Sequence, residues 1–460
     1  MSPSIAAIVG GVIVFASLPY WLPPWVVRLR MHIFTRINGE EALQLPNEQL
    51  GPEEFRRLYA HPAMSGRSAG AALSDLFWYW LAPGPEMHQE HLENGPRYKR
   101  IARFSREVLA LPRARIDALV DACFDRTATL QPDRAGGLVR LRDVMMPFWA
   151  SFYYEVVFGE RCPDQARALI VGHADDVVTA LKCCSLRHMA RRRRLTKFLL
   201  AKLEAGGLPL AFPEGFSLQE QAYYLQGTFF NTAIVQMSEA MSHLVMVLAQ
   251  HPDIQEKMAA APDDRDLYDH AVDEALRLYP LFGIAHRITA EPIEANGSVI
   301  DKGSVVCFNY PAYHQQGYER PEQYEPDRWE RCPVKGANFM PFGVPGNRPC
   351  PAQGIALVSM KRLAQRLLLD YRFATSAEHT RSMPNRCPCL MVARRRATAT
   401  RRRERLLLLW LRQRDRWESV YRSLAQLVFG VVMILDARRL RLCGNYFGTH
   451  RPGQPDIPAG

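Results

Sequence analysis

Apolar residues recur at helical spacing through the middle of the chain and predict one long buried helix. The run covers residues 221–250, and Pro252 closes it because proline cannot continue a helix. A second apolar helix is expected to begin near Cys350, directly after residues 341–351, a loop rich in glycine and proline. The pattern therefore predicts a helix-rich chain in which a rigid loop delivers one cysteine to a helix start.

The N-terminal segment carries a membrane signal. Residues 5–18 are apolar without a charge, the apolar character continues to residue 27, and Arg28 and Arg30 follow. That length is about what a hydrocarbon layer requires. No basic residue precedes the run and no small-residue cleavage site ends it, which argues against a removed signal peptide. We therefore expect residues 1–27 to be a membrane anchor with the following domain on the cytoplasmic side, the alternative being an interfacial segment.

The composition changes at the C-terminal end. Residues 394–460 are basic and rich in leucine, and they carry much of the formal net charge of +11. Residues 424–435 add an apolar run that is too short to span a bilayer. Two interpretations remain open: an amphipathic, polybasic helix pair on anionic lipid, or a disordered or incidental extension. No nucleic acid is expected as a partner, because no recognition motif accompanies the basic residues.

Composition and cysteine usage favour an intracellular-facing protein with a large core. The chain has 460 residues, 48% of them hydrophobic, and its 10 cysteines are irregularly spaced. Reduced thiols are therefore expected rather than a disulfide framework. Cys387 and Cys389 lack a second pair at zinc spacing, so we interpret them as structural.

Cys350 is the strongest candidate for chemistry. Proline and glycine fix the course of the loop before it, and the N-terminus of the following helix supplies positive potential that favours a sulfur anion. These are the requirements of a haem thiolate ligand. The alternative is a buried structural thiol, which is the commoner role of a single cysteine.

Three segments together resemble the cytochrome P-450 family. They are Glu274-Ala-Leu-Arg277, the stretch from Tyr324 through Pro326 to Arg328, and the loop that carries Cys350. The resemblance implies a mainly α fold with a small β portion and a single large catalytic domain, here residues 28–393. It also implies haem b bound through the Cys350 thiolate, and a structural triad formed by Glu274, Arg277 and Arg328.

The same resemblance implies further haem-binding residues. Arg287 and Arg348 stand where the family places arginines on the haem propionates. Arg100 and Arg103 belong to a loosely matching basic helix and are alternative candidates for the same task. Phe342 begins the cysteine loop, which is one residue longer than usual, so we expect a local bulge before Cys350.

The chain departs from the family pattern on the long central helix. In the family an acid–alcohol pair on this helix passes protons, but the corresponding residues here are Val235 and Gln236. Thr232 and Gln236 are the candidates for a substitute proton path. The alternative for Thr232 is a hydrogen bond to a carbonyl of its own helix.

The resemblance implies a monooxygenase that inserts one atom of O2 into a lipophilic small molecule. Its electrons would come from a separate ferredoxin or flavoprotein reductase, since the sequence has no flavin or iron–sulfur signature. The missing pair leaves a second enzyme class open, a haem-thiolate isomerase, dehydratase or peroxide-using enzyme. A non-catalytic, membrane-associated haem sensor is the alternative from another class.

Overall fold

Helices make up most of the structure. The computed structural model describes residues 3–38, 42–131, 137–332, 336–396 and 401–450. The helices, in chain order, are α1 (Pro3–Asn38), α2 (Pro52–Ala60), α3 (Ala72–Leu81), α4 (Pro96–Leu109), α5 (Arg113–Arg126), α6 (Leu141–Phe158), α7 (Asp164–Leu181), α8 (Met189–Glu204), α9 (Leu218–Gly227), α10 (Ile234–Gln250), α11 (Pro252–Ala260), α12 (Arg265–Leu278), α13 (Tyr310–Gln315), α14 (Arg328–Arg331), α15 (Gln353–Asp370), α16 (Arg401–Leu440) and α17 (Leu442–Thr449).

Short strands form three small sheets. The strands are β1 (Leu43–Leu45), β2 (Gly137–Arg140), β3 (Ile284–Ile288), β4 (Ile293–Ala295), β5 (Ser298–Ile300), β6 (Val305–Asn309), β7 (Tyr371–Ala374) and β8 (Pro388–Ala393). One sheet has the order β1-β6-β3, with β1 parallel and β3 antiparallel to β6. The others are an antiparallel β2-β8-β7 sheet and a β4-β5 hairpin. The predicted mainly α fold with a small β portion is confirmed.

The predicted central helix is also confirmed. α9, a π-helical segment Thr228–Ala233 and α10 follow one another without a break. Ser217 and Glu220 begin this helix with a reciprocal capping box, which satisfies two of the N–H groups that a helix start leaves unpaired. Most of α10 is buried in the main hydrophobic core, where α6 packs against it. The central helix is therefore the element around which the helical core is assembled.

A buried ion triad braces the segment that precedes the cysteine loop. Arg277 Nε and Nη2 donate to the two carboxylate oxygens of Glu274 at 2.9 and 2.8 Å, and Arg328 Nε donates to Glu274 Oε1 at 2.8 Å. Glu274 and Arg277 are fully buried. The remaining N–H groups of the two arginines hold backbone carbonyls, including those of His314 and Glu319. The structure thus brings together the three residues that the sequence assigned to a structural triad.

Within its described residues, the C-terminal extension is helical. α16 runs parallel to α1, with the Phe15 and Trp417 rings 4.8 Å apart and Arg416 Nη1 donating to the Tyr20 hydroxyl at 3.0 Å. Further along, Gly430 lies directly against the Phe34 ring. The interpretation of a disordered extension is therefore wrong for residues 401–450, while residues 397–400 and 451–460 lie outside the described residues.

We predict that Glu274→Gln strongly destabilises the protein. The substitution keeps the side-chain volume but leaves two buried guanidinium groups without their shared counter-charge. Breaking a buried ion pair in this way costs about 3–5 kcal/mol of the free energy of unfolding. Urea unfolding followed by circular dichroism should therefore show a clearly lower midpoint.

Glu54→Gln is the matched control, since Glu54 pairs with Arg57 on the solvent side of α2. An exposed pair of this kind contributes about 0–1 kcal/mol. Equal midpoints for the two variants would contradict a bracing role for Glu274.

Candidate haem-thiolate site

The loop before Cys350 closes on itself in a tight turn. Val344 and Asn347 form an isolated antiparallel bridge, and the backbone N–H of Cys350 donates to the Phe342 carbonyl at 3.0 Å. Gly343 has a φ of +74°, a left-handed conformation that favours glycine. The extra residue predicted from the sequence is accommodated within this turn.

Asn347 fastens the turn to the neighbouring helix. Its side-chain amide is buried and donates to the carbonyls of Tyr59, His61 and Met64 at 3.0, 3.2 and 3.1 Å. These carbonyls belong to the C-terminal end of α2 and the residues after it. The course of the loop is therefore set by long-range hydrogen bonds as well as by its prolines and glycines.

Cys350 lies at the N-terminal end of α15 with two backbone N–H groups directed to its sulfur. Burial raises the pKa of the Cys350 thiol to about 11, the N–H groups of Ala352 and Gln353 act in the opposite direction, and the Glu90 carboxylate raises the pKa further. Such a thiol stays protonated at neutral pH by itself. A metal cation would convert it to a thiolate, which the two N–H groups would then stabilise.

Three arginines, two of them buried and Arg348 partly buried, surround one carboxylate close to Cys350. Arg67 and Arg287 are almost fully buried, and Arg67 Nη2 pairs with Glu90 Oε2 at 2.8 Å. Arg287 Nη2 donates to the Tyr59 hydroxyl at 2.8 Å. Burial lowers the pKa of Arg348 to about 10, and the charges of Arg67 and Arg287 lower it further. These three guanidinium groups with Glu90 are called the arginine cluster below.

The arginine cluster has the charge and the free donors to bind two carboxylates. Its three guanidinium groups face one carboxylate, which leaves two positive charges in excess. Within the described part of the chain, Arg287 Nε, Arg287 Nη1 and Arg348 Nε are buried without a hydrogen-bond partner. Buried charges of one sign are costly unless counter-charges join them. Haem carries two propionate carboxylates, so the residues present fit this cofactor.

Pairing between distant segments assembles the cluster. Gly66 and Ile288 exchange backbone hydrogen bonds of 3.1 and 2.9 Å, which brings the next residue, Arg67, beside Arg287. A side chain at position 66 would clash, because a Cβ there would lie 2.6 Å from the Ile288 carbonyl oxygen. Arg67 Nη1 also donates to the His286 carbonyl at 2.7 Å.

The structure corrects two of the predicted haem-binding residues. Arg100 and Arg103 lie on the exposed side of α4, and the Arg100 guanidinium stacks over the Phe216 ring at 5.3 Å. Neither joins the arginine cluster, because the helix turns that face to solvent. The α4 residue that reaches the cluster is Tyr98, whose ring lies 4.2 Å from the Arg348 guanidinium carbon.

The central helix is mostly buried, but one of its faces is partly exposed. Thr228, Thr232, Gln236 and Glu239 recur on this face at helical spacing. Thr228 Oγ1 and Asn231 Oδ1, both in the π-helical segment, are buried without a hydrogen-bond partner in the described structure. π-helical turns inside α-helices frequently mark functional sites. Thr232 and Gln236, the two predicted proton-path residues, thus share the partly exposed face.

Glu239, on that face, forms two ion pairs. Its carboxylate pairs with Lys182 and, at 3.2 Å, with Arg142 Nη1. Burial lowers the pKa of Lys182 to about 8, although the Glu239 charge opposes that shift. Glu239 is therefore held by cations rather than free to exchange protons.

Sequence analysis missed His88, which reaches Thr232 from another part of the chain. His88 follows the 3-10 turn Pro85–Met87, and its Nε2 forms a short hydrogen bond with Thr232 Oγ1. The Glu90 N–H donates to His88 Nδ1 at 3.3 Å, so Nε2 carries the proton and donates to the threonine. Burial lowers the pKa of His88 to about 4, which keeps the imidazole neutral at physiological pH.

Glu90 links these parts into one region. Its carboxylate raises the pKa of both Cys350 and His88 and pairs with Arg67. The cysteine, the arginine cluster and the His88–Thr232 pair therefore surround the same carboxylate. No motif in the sequence signals Glu90, Arg67 or His88, because only the fold brings them together.

Cys443, a second cysteine at a helix start, lies in a different environment. Its Sγ donates to the Ser68 carbonyl at 3.3 Å, and its backbone N–H donates to Asp75 Oδ1 at 2.9 Å. Burial raises the pKa of the Cys443 thiol, and the Asp75 carboxylate raises it further. Across the described ranges of the chain, no group of three or more His, Cys, Asp or Glu side chains is arranged to hold a metal ion.

Comparison with known proteins identifies the family. The family model described as cytochrome P-450 matches residues 164–399, just over half of the chain. Cytochrome P-450 3A9 of Rattus norvegicus is 33% identical over 161 residues, 31% of this chain and 32% of that protein. Cytochrome P-450 3A13 of Mus musculus is 32% identical over 154 residues, 29% of this chain and 30% of that protein.

A solved structure shows the same fold. A zebrafish cytochrome P-450 solved with abiraterone aligns with a TM-score of 0.57 and 17% sequence identity, covering 72% of this chain and 89% of the other. The chain spans about a third of the length of the curated relatives it matches. The chain belongs to the cytochrome P-450 family, whose members bind haem through a cysteine thiolate.

Proposed function

We propose that this protein is a haem-thiolate monooxygenase in which the Cys350 thiolate would hold haem b. The observation that carries the proposal is the arginine cluster beside Cys350, which has two positive charges in excess and buried donors without partners. Cys350 is favoured over Cys443 because backbone N–H groups point to its sulfur and the carboxylate near it, Glu90, is surrounded by arginines, whereas the Asp75 and Glu93 carboxylates both act on Cys443.

Each residue of the site has a distinct task in this proposal. Arg67, Arg287 and Arg348 would bind the two propionates, and Phe342 packs the start of the cysteine loop against the main hydrophobic core. The N–H groups of Ala352 and Gln353 would stabilise the Cys350 thiolate as a ligand of the haem iron. When bound, the haem iron supplies the activation of O2 that delivers one oxygen atom to the substrate.

We also propose a substrate class and an electron donor. A lipophilic small molecule suits an enzyme with an apolar N-terminal helix that attaches it to a membrane. We expect α1 to provide this attachment and the catalytic domain to face the cytoplasm. Electrons come from a separate ferredoxin or flavoprotein reductase.

Proton delivery uses residues that replace the family's acid–alcohol pair. The Thr232 hydroxyl accepts from His88 and can donate in turn toward the partly exposed face of the central helix. Gln236 lies one turn further on that face. Its amide can orient water but cannot release and regain a proton near neutral pH. We therefore assign proton transfer to water held by Thr232 and Gln236, with His88 positioning the hydroxyl.

The same departure supports a second candidate function. With Val235 and Gln236 in place of a carboxyl and a hydroxyl, a haem-thiolate isomerase, dehydratase or peroxide-using enzyme would need no proton path for O2. The two candidates differ in whether turnover requires an electron donor.

We predict that Cys350→Ala abolishes the thiolate signature in the absorption spectrum of the reduced, carbon monoxide-bound protein. The thiolate is the source of that signature, and the substitution removes the sulfur while leaving the loop hydrogen bonds in place. Cys443→Ala is the matched control, since it also removes a thiol at a helix start. A signature that survives in Cys350→Ala and disappears in Cys443→Ala would assign the ligand to the other cysteine.

We predict that Thr232→Val and Gln236→Ala uncouple electron consumption from product formation. Both remove a group that holds water on the same helix face, and positioned proton transfer contributes about 10²–10⁴-fold to a rate. Product per electron should fall by about tenfold, and peroxide release should rise, with haem content and the resting spectrum unchanged.

Thr179→Val, a substitution on α7 away from the site, should leave the coupling at the wild-type value. Unchanged coupling in both site variants, together with wild-type turnover in the absence of any electron donor, would reject the monooxygenase proposal. That result would favour the isomerase, dehydratase or peroxide-using enzyme.

A further inference from the structure

The inner face of α16 is fixed to the catalytic domain along its length. Leu411, Met433 and Ile434 are almost fully buried against that domain. The Asp415 carboxylate is also buried and accepts from Asn385 Nδ2 at 3.2 Å and from the Glu378 N–H at 3.1 Å. α16 therefore cannot detach one end without breaking buried contacts.

The outer face of α16 is apolar and uncovered. Large apolar side chains recur there every three or four residues, apart from one interval of seven residues between Trp410 and Trp417, on the side of the helix opposite the buried face. Tyr421 is 71% exposed and Val428 is 58% exposed. We call this set the outer stripe; it comprises Leu406, Trp410, Trp417, Tyr421, Leu424, Val428, Val432 and Leu435.

α1 extends the same apolar surface. It lies beside α16 through Phe15 and Trp417 at one end and Phe34 and Gly430 at the other. Its apolar side chains between residues 8 and 16 are largely exposed. Exposed apolar surface on this scale marks an interaction site in a soluble domain.

Cationic groups border the outer stripe. Exposed arginines precede it at positions 402, 403 and 405, Arg412 lies between Trp410 and Trp417, and Arg439 follows it. Tryptophan and tyrosine rings lie among its residues, as they do where a helix meets lipid headgroups. Arginine at the borders and aromatic rings on an apolar face are the features of a helix lying in an anionic lipid interface.

Length and composition alone would allow both helices to cross a membrane, but the packing of α16 against the catalytic domain opposes this for α16. A helix that spans a membrane is surrounded by lipid or by other membrane-embedded protein. One side of α16 instead packs along the catalytic domain. Exposed apolar side chains on α1 continue from Ile5 to Val27. Because α1 lies along α16 from Phe15 to Phe34, we expect it to share the in-plane orientation of α16.

We propose that the outer stripe of α16 and the exposed side of α1 together form an in-plane attachment surface for an anionic lipid bilayer. The contribution of α1 rests on the membrane attachment proposed above. The contribution of α16 rests only on its exposed apolar residues and the arginines near them. A bilayer is favoured over a second copy of this chain because the surface continues onto α1, whose exposed stretch has no charged residue to specify pairing.

The test is vesicle flotation of the full chain with phosphatidylcholine vesicles, with or without phosphatidylserine. Wild type should float with both and more strongly with phosphatidylserine, with the difference lost in high salt. Combined Trp417→Ser, Tyr421→Ser, Val428→Ser and Val432→Ser should reduce the floated fraction at least fivefold. Removal of residues 2–27 should reduce it by a smaller factor, because the outer stripe remains.

The matched control combines Leu218→Ser and Val299→Ser, two exposed apolar residues outside α1 and α16, and should float like wild type. Haem content reports folding and the thiolate signature reports the proposed site, so loss of either is separable from loss of flotation. Should the four-serine variant misfold, brominated-lipid quenching of tryptophan fluorescence replaces it: wild type should be quenched, and Trp417→Phe should be quenched less.

Two results would overturn the proposal. One is wild-type flotation by a folded four-serine variant, or quenching in Trp417→Phe equal to that of wild type. The other is a wild-type dimer in vesicle-free solution that the four serines convert to a monomer without changing flotation, which would make the outer stripe an interface between copies.

Discussion

The excess of buried positive charge in the arginine cluster constrains the whole site. Three guanidinium groups, two of them buried, share one partly exposed carboxylate, and two charges remain uncompensated. An unpaired buried charge costs several kcal/mol after relaxation, at roughly the scale of a domain's entire stability. The cluster is therefore the feature that a bound dianion would stabilise most, and it explains why haem and the folded site belong together.

The surrounding elements hold this cluster in place from several directions. The Gly66–Ile288 pairing aligns Arg67 with Arg287, and Asn347 ties the cysteine loop to the end of α2. Glu274 braces the segment that leads into that loop. Each tie joins segments far apart in sequence, so the site depends on the tertiary fold rather than on a local motif. Thr232, in the π-helical segment of the central helix, is hydrogen-bonded to His88.

Local spacing predicted the parts of the fold and site that local physics determines. Helical periodicity identified the central helix, and the three-residue separation of Glu274 and Arg277 put them on one face. The prediction that Arg100 and Arg103 bind the haem propionates was wrong, because both residues lie on the side of α4 that faces solvent. Arg67 and His88 could not be found, since long-range pairing alone brings them to the site. The contact between α1 and α16 was equally hidden, because an apolar run does not identify what covers it.

The most direct measurement of the central claim is the affinity of the haem-free protein for haem compared with haem dimethyl ester. The ester keeps the iron and the ring but removes both carboxylate charges. Hydrogen bonds to charged groups contribute about 1.5–3 kcal/mol each, so two lost pairs should weaken binding about 10²–10⁴-fold. Arg287→Gln should weaken haem binding while affecting ester binding much less. Equal affinities of the wild type for haem and its ester would contradict a cluster built for two carboxylates.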